Sequence, residues 1–192
     1  SGKSTLAQLI PRMIDPTTGS IYIANNTLQK ITLDSLRESI GYVTQEVFLF
    51  SDSIKNNITF GCAATDAEII HAAKAADVHD NIIAFPAGYD TLLGERGINL
   101  SGGQKQRVSI ARAIIKNPDI LLFDDCLSAV DTHTEDRIIR QLKQVMKGKT
   151  SIVIAHRIST VKEADNIVYL EHGRIVEQGT HSQLLEINGA YA

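Results

Sequence analysis

Four consecutive apolar residues, Ile120-Leu121-Leu122-Phe123, stand between Pro118 and the acidic pair Asp124-Asp125. The run is too short for a helix and shows no alternation, so it reads as a strand buried on both faces, as a parallel sheet requires at its centre. Helical stretches flank it, Gly102 to Lys116 before and Thr134 to Met146 after. Beyond them the sequence predicts a strand at Ser151 to Ala155, a short helix at Ile158 to Glu163, and strands at Asn166 to Leu170 and Arg174 to Glu177. Strand and helix in alternation imply βαβ units and a parallel sheet with flanking helices.

The N-terminal part is also α/β in pattern. Thr5 to Ile14 reads as a short apolar helix ended by the turn Asp15-Pro16-Thr17-Thr18-Gly19. Ser20 to Ile23 and Ile40 to Thr44 read as strands, with a capped helix from Asp34 through Arg37 between them. From Glu46 to about Leu100 the pattern turns helical: Ser53 to Thr59, Asp66 to Ala75 behind a Thr65 cap, and Val78 to Ala84 before Pro86. This predicts a helical insertion between two parts of an α/β core.

With 43% hydrophobic and 21% charged residues over 192 positions, the chain can bury a sizeable core and is not disordered. A formal net charge of −3 supplies no positive field for nucleic acid or anionic lipid. The cysteines Cys62 and Cys126 form no CxxC pair and read as reduced cytosolic thiols. No apolar run reaches the roughly 18 residues needed to span a bilayer, and no signal-peptide layout opens the chain. The first residue is Ser1, inside a motif, so the chain is expected to be a fragment of a longer polypeptide that could carry membrane segments upstream.

That motif is Ser1-Gly2-Lys3-Ser4-Thr5, the end of a phosphate-binding loop pattern. Glycine lets backbone N–H groups turn toward phosphate oxygens, and a helix starting near Ser4 aims its positive end at the anion. Lys3 would reach the outer phosphates and Ser4 would ligate Mg²⁺. Asp124, at the tip of the Ile120 strand, is the second Mg²⁺-holding position such a loop requires, although a plain strand-end turn has the same look. A second anion contact is readable in Leu100-Ser101-Gly102-Gly103-Gln104, where glycines follow a serine at a helix start; a simple helix cap reads alike.

LSGGQ followed by Lys105-Gln106-Arg107 and Ala111-Arg112-Ala113 resembles the signature of ABC-type ATPases, and further matches follow in order over essentially the whole chain. The resemblance implies a P-loop NTPase of RecA-like core, residues 1–45 and 113–192, lacking its first strand and loop glycine, with an inserted helical subdomain at 46–112. It implies ATP and Mg²⁺ as ligands. Gln45 is similar to the Q-loop glutamine that senses Mg²⁺ and the attacking water; Ser128-Ala129-Val130-Asp131 resembles the D-loop; His156 resembles the switch histidine on the γ-phosphate. Ser1, Gly2, Lys3, Ser4, Thr5, Gln45, Asp124, Asp131 and His156, with Ser101, Gly102, Gly103 and Gln104, make up the implied nucleotide contacts. Ser4, Gln45 and Asp124 are the implied metal positions, and Asp125, His156 and Gln45 the implied catalytic ones. Gly94-Glu95-Arg96-Gly97 and Phe48-Leu49-Phe50-Ser51-Asp52-Ser53-Ile54 resemble exporter segments, which implies an ATP-driven exporter domain at the cytoplasmic face of a membrane.

One position departs from the family pattern. Asp125 stands where a catalytic glutamate is usual, and the missing methylene withdraws its carboxylate by about 1 Å, enough to cost about a hundredfold in rate. The expected consequence is slow hydrolysis at this chain's own site, within a head-to-tail dimer whose partner is a different subunit and whose transmembrane domain lies upstream in the same polypeptide. A soluble ABC-type ATPase acting on nucleic acid and a regulatory ATP-binding module are the alternative classes. The 192-residue piece by itself is expected to bind ATP weakly or not at all.

Overall fold

The computed structural model describes residues 2–128 and 130–192; Ser1 and Ala129, which the sequence placed in the phosphate loop and the D-loop, lie outside the described residues. Helix α1 (Lys3–Leu9) ends earlier than the apolar pattern suggested. Pro11 has no N–H to continue the helical ladder, and Arg12 leaves the helix at φ 51°. A two-stranded hairpin follows, β1 (Tyr22–Ile23) and β2 (Asn26–Thr27), joined by Ala24-Asn25 with both φ values positive, as a tight primed turn demands. Helix α2 (Leu33–Glu38), capped by the Thr32 hydroxyl, leads into β3 (Ile40–Val43).

Helices α3 (Ile54–Thr59), α4 (Asp66–Ala75) and α5 (His79–Ile83) come next, the first two capped by Ser53 and Thr65. Then α6 (Gly102–Ile115) runs back to β4 (Ile120–Asp124), and α7 (Thr132–Met146) crosses over to β5 (Thr150–Ile154). The three strands form one parallel sheet in the order β3-β4-β5, with Ile40 opposite Ile120 and Ile120 opposite Thr150.

All five residues of β4 are buried, because both faces of the central strand are covered. Leu121 and Phe123 join one core with residues of α3, α4, α6 and α7, including Ile54, Ile58, Ile69, Val108 and Ile138. Ile120 and Leu122 point the other way, onto Leu28, Leu36 and Ile40. Helix α6 lies directly on the backbone of β3: a Cβ added at Gly41 would come within 2.5 Å of the Ala113 carbonyl oxygen. Arg112 of α6 donates to the carbonyls of Asn57 and Phe48 beneath the rings of Phe50 and Phe60, and burial pushes its pKa down to about 10.

The C-terminal part corrects the sequence reading. Helix α8 (Ile158–Val161) is followed by β6 (Ile167–Glu171) and β7 (Arg174–Gly179), which pair with each other antiparallel instead of extending the parallel sheet. Only His172 and Gly173 separate them, both at positive φ, whereas a parallel connection needs about a dozen residues. Helix α9 (His181–Ile187), which the periodicity did not reveal, opens on a Thr180–Gln183 capping box. The Glu177 carboxylate accepts from the Ala190 and Tyr191 amides and pins the C-terminal residues to β7.

Candidate nucleotide site at the strand tips

In a parallel sheet all carboxyl ends face one way, and the crevice beyond them is where α/β proteins bind ligands. Here β3 runs out into Thr44-Gln45, β4 into Asp124-Asp125 and β5 into Ala155-His156. The head of α1 completes the group. Gly2 precedes the helix at φ 88°, a left-handed conformation that suits glycine, and the Ser4 hydroxyl donates to Asp124 Oδ1 at 2.9 Å. Asp124 is only 3% exposed, a poor location for a carboxylate without polar partners.

Its second oxygen accepts from the Tyr42 hydroxyl at 3.4 Å. Burial, followed by the charge of Asp124 and this hydrogen bond, pushes the Tyr42 pKa up to about 12, so the phenol stays a donor well above neutrality. Sequence reasoning did not single out Tyr42. Its only signal was position, a polar-tipped aromatic next to last in β3 and level with Leu122 of β4.

Asp125 turns away from Asp124 through a left-handed backbone, φ 48°, which aspartate adopts more readily than most residues. Its N–H donates to the Ile154 carbonyl at 2.9 Å, prolonging the β4–β5 ladder by one bond. Its carbonyl accepts from the Ser128 hydroxyl, also at 2.9 Å. Anchored so, its carboxylate Oδ2 lies 3.4 Å from Gln45 Nε2 and 3.9 Å from His156 Nε2, the latter an ion pair only when the imidazole is protonated. Ser4, Gln45, Asp124, Asp125 and His156, spread over the whole sequence, thus converge on one crevice. Lys3 and Thr5 sit beside Ser4 in the first turn of α1.

Ser101 to Gln104 are arranged differently. The Ser101 hydroxyl accepts from the Gln104 N–H at 3.3 Å, while Gln104 Oε1 accepts from the Ser101 N–H at 2.9 Å. This reciprocal box uses Gln104 as part of the cap and leaves the Gly102 and Gly103 N–H groups at the open end of α6, a helix of 14 residues. These bonds, and the one the Gly103 carbonyl accepts from Arg107, stay within α6 and its cap and do not reach the strand-tip cluster. Asp131 likewise serves locally, capping α7 through the Thr134 N–H at 3.0 Å; hydrogen bonding from the Thr134 side chain first, and then from its amide, holds the Asp131 pKa below the usual carboxylate value.

Comparison with known proteins gives this geometry its context. The family described as ABC transporter matches residues 1–128. The chain belongs to the ABC transporter family. It is 48% identical over 186 residues to the ABC transporter ATM1 of Toxoplasma gondii, a match covering 96% of this chain and 16% of that protein. It is 49% identical over 191 residues to the ATP-dependent lipid A-core flippase of Syntrophus aciditrophicus, covering 99% of this chain and 32% of the relative. A solved structure of a bacterial Atm1-family ABC exporter with ATP bound superposes with a TM-score of 0.96 at 48% identity, over 99% of this chain and 34% of that one. The chain therefore spans at most about a third of the length of these relatives.

The fold is that of an ABC nucleotide-binding domain, mixed α/β with a parallel sheet and flanking helices. The family's ATP-binding domains hydrolyse ATP to power transport, and nucleotide is the ligand this domain belongs with. The donor set fits a nucleotide-bound Mg²⁺. A hydroxyl and a buried carboxylate are hard oxygen ligands, and this cation takes few protein ligands beside phosphate oxygens and water. Among the described residues no helix is long and apolar enough to cross a membrane.

Proposed function

We propose that this chain is the ATP-hydrolysing domain of an exporter-type transporter, working at the cytoplasmic face of a membrane and driving export by closing and reopening a dimer of such domains. The observation that carries the reading is the bonded pair Ser4–Asp124, which joins the head of α1 to the buried tip of the central strand. Gly2, Lys3, Ser4 and Thr5 bind the triphosphate at the head of α1, with Lys3 on the outer phosphates. Ser4, Asp124 and Gln45 would hold Mg²⁺, which when bound neutralises charge on the phosphate oxygens. Gln45 and Asp125 orient the attacking water, Asp125 accepts its proton, and His156 contacts the γ-phosphate. Ser101, Gly102, Gly103 and Gln104, with Asp131, complete the site of a second domain docked head to tail.

In this reading residues 46–112 form a helical lobe that tilts against the core of 1–45 and 113–192, with α6 as the shared element since it packs on α3, α4 and β3. The export assignment rests on the exporter-like stretches around Phe48 and Glu95 and on relatives that include a flippase and an exporter. The transmembrane part lies in the same polypeptide.

The test uses the intact polypeptide in proteoliposomes. Ser4→Ala lowers ATP turnover at this chain's own site about a hundredfold, read by nucleotide trapping in each site, as expected for the loss of one preorganised group at the phosphates; unchanged turnover at that site overturns the assignment. Asp125 favours a second statement: with its shorter side chain this site is slow, and the chain pairs with a different subunit whose site its signature completes. Normal turnover by the full-length subunit alone refutes that pairing.

A further inference from the structure

Among the described residues Glu135 is the most deeply buried acid, 1% exposed in the first turn of α7. Both of its oxygens are engaged by the segment after β5: Oε2 accepts from the Arg157 guanidinium and Oε1 from the Thr160 hydroxyl. These two residues bracket the start of α8, and Arg157 directly follows His156. The Thr160 amide donates to the Arg157 carbonyl at 3.2 Å and the Lys162 amide to the Ile158 carbonyl at 2.9 Å, so the bracketed turn is itself hydrogen-bonded.

His156 needs such support. Its side chain is 67% exposed, so packing does not fix the ring, and its approach to Asp125 Oδ2 is long, at 3.9 Å. Ring placement is therefore left to the backbone of residues 155–157. Glu135 sits on a stable platform, since α7 is held down by Ile138 and Leu142 in the core and Glu135 N–H donates to the Asp131 carbonyl. Stability alone does not account for the arrangement. The Glu135 carboxylate is buried but the Arg157 side chain is 44% exposed, so the pair contributes little net stabilisation, whereas two bonds to one carboxylate fix relative position well.

We propose that Glu135 is a positioning residue for His156, acting through Arg157 and Thr160 to hold the loop after β5 at the distance the γ-phosphate requires. The inference rests on the reading of His156 given under Proposed function. It also makes α7 a common frame: its N-cap Asp131 and Glu135 lie four residues apart on one helix, so a displacement of the segment before α7 reaches the loop of His156 through a single turn.

The test compares Glu135→Gln, which keeps shape and removes charge, with Arg157→Ala, the double variant and His156→Ala, all in the intact transporter. At this chain's own site, resolved by nucleotide trapping, Glu135→Gln lowers kcat about tenfold and leaves KM for ATP within about twofold, because placement of a reacting group is lost and not ground-state binding. Arg157→Ala gives the same fall, and the double variant falls no further, as expected for two residues acting as one unit. Without nucleotide, backbone hydrogen exchange at Thr160 and Lys162 becomes about tenfold faster in Glu135→Gln while the amides of β4 keep their protection. Unchanged kcat, a rise confined to KM, multiplication of the two single effects, or unaltered exchange at Thr160 and Lys162 each overturns the proposal. Should His156→Ala turn over normally, the underlying reading of His156 falls; should it be inactive while Glu135→Gln is normal, only the role of Glu135 falls.

Discussion

Two helix heads in this molecule carry glycines suited to anions, and they are built in opposite ways. The head of α1 is backed by side chains from three strands: Ser4 bonds to Asp124, Tyr42 reaches the same carboxylate, and Gln45 and His156 approach Asp125. Among the described residues the head of α6 is held by its own cap, with Ser101 and Gln104 satisfying each other and the Gly102 and Gly103 N–H groups at the open end of the helix. Chemistry requires several groups within hydrogen-bond reach of one reacting atom, so the first can support a reaction and the second can supply only a contact. Under the proposed function that asymmetry is the reason two molecules are needed for one complete site.

The largest expected effect sharpens the first half of the comparison. Under the proposed function, Asp125→Glu lengthens the side chain by one methylene and raises ATP turnover at this chain's site about a hundredfold in the assembled transporter, read by nucleotide trapping in each site. If turnover does not change, reach is not what limits this site. A smaller effect addresses the second half. Ser101→Ala removes the α6 cap and lowers stability by about 1 kcal/mol in chemical denaturation; in the transporter it slows hydrolysis at the partner's site and leaves ATP affinity at this chain's own phosphate loop unchanged. A loss of affinity at its own loop would mean that the two heads are not separate.

The smallest effect concerns pH. Tyr42 has a folded-state pKa of about 12, above its ordinary value of 10, so its contribution to stability is whole below pH 10 and disappears as pH rises through 12. Tyr89, pushed to about 12 by burial, ionises in the same range. Ultraviolet titration should show a late-ionising fraction that decreases in Tyr42→Phe; ionisation of all the tyrosines together near pH 10 would separate Tyr42 from the Asp124 carboxylate.

Local pattern carried the helices well where caps were present. Thr65 before Asp66, Ser101 before Gly102 and Ser53 before Ile54 are start signals whose mechanism lies within four residues. The two hairpins were a different case. His172-Gly173 did carry a turn signal, but the rhythm of alternating elements made β6 and β7 look like more parallel sheet; Ala24-Asn25 is a weak version of the same signal. Glu135 could not be found by pattern at all. A glutamate in the first turn of a helix normally faces water and the helix dipole, and only the approach of Arg157 and Thr160 from another element reveals that this one is buried.

The sequence by itself determined that β4 is a central strand and where most helices begin, and it marked out the motifs that the proposed function assigns to nucleotide chemistry, because each of these depends on residue types at fixed short spacings. Tertiary structure alone decided that Ser4 meets Asp124 across 120 positions, that Tyr42 joins them, and that the loop of His156 is gripped by α7. Such meetings depend on strand order and helix packing, which bring distant segments together through burial of the Leu121 and Leu122 faces, and no short-range spacing encodes them.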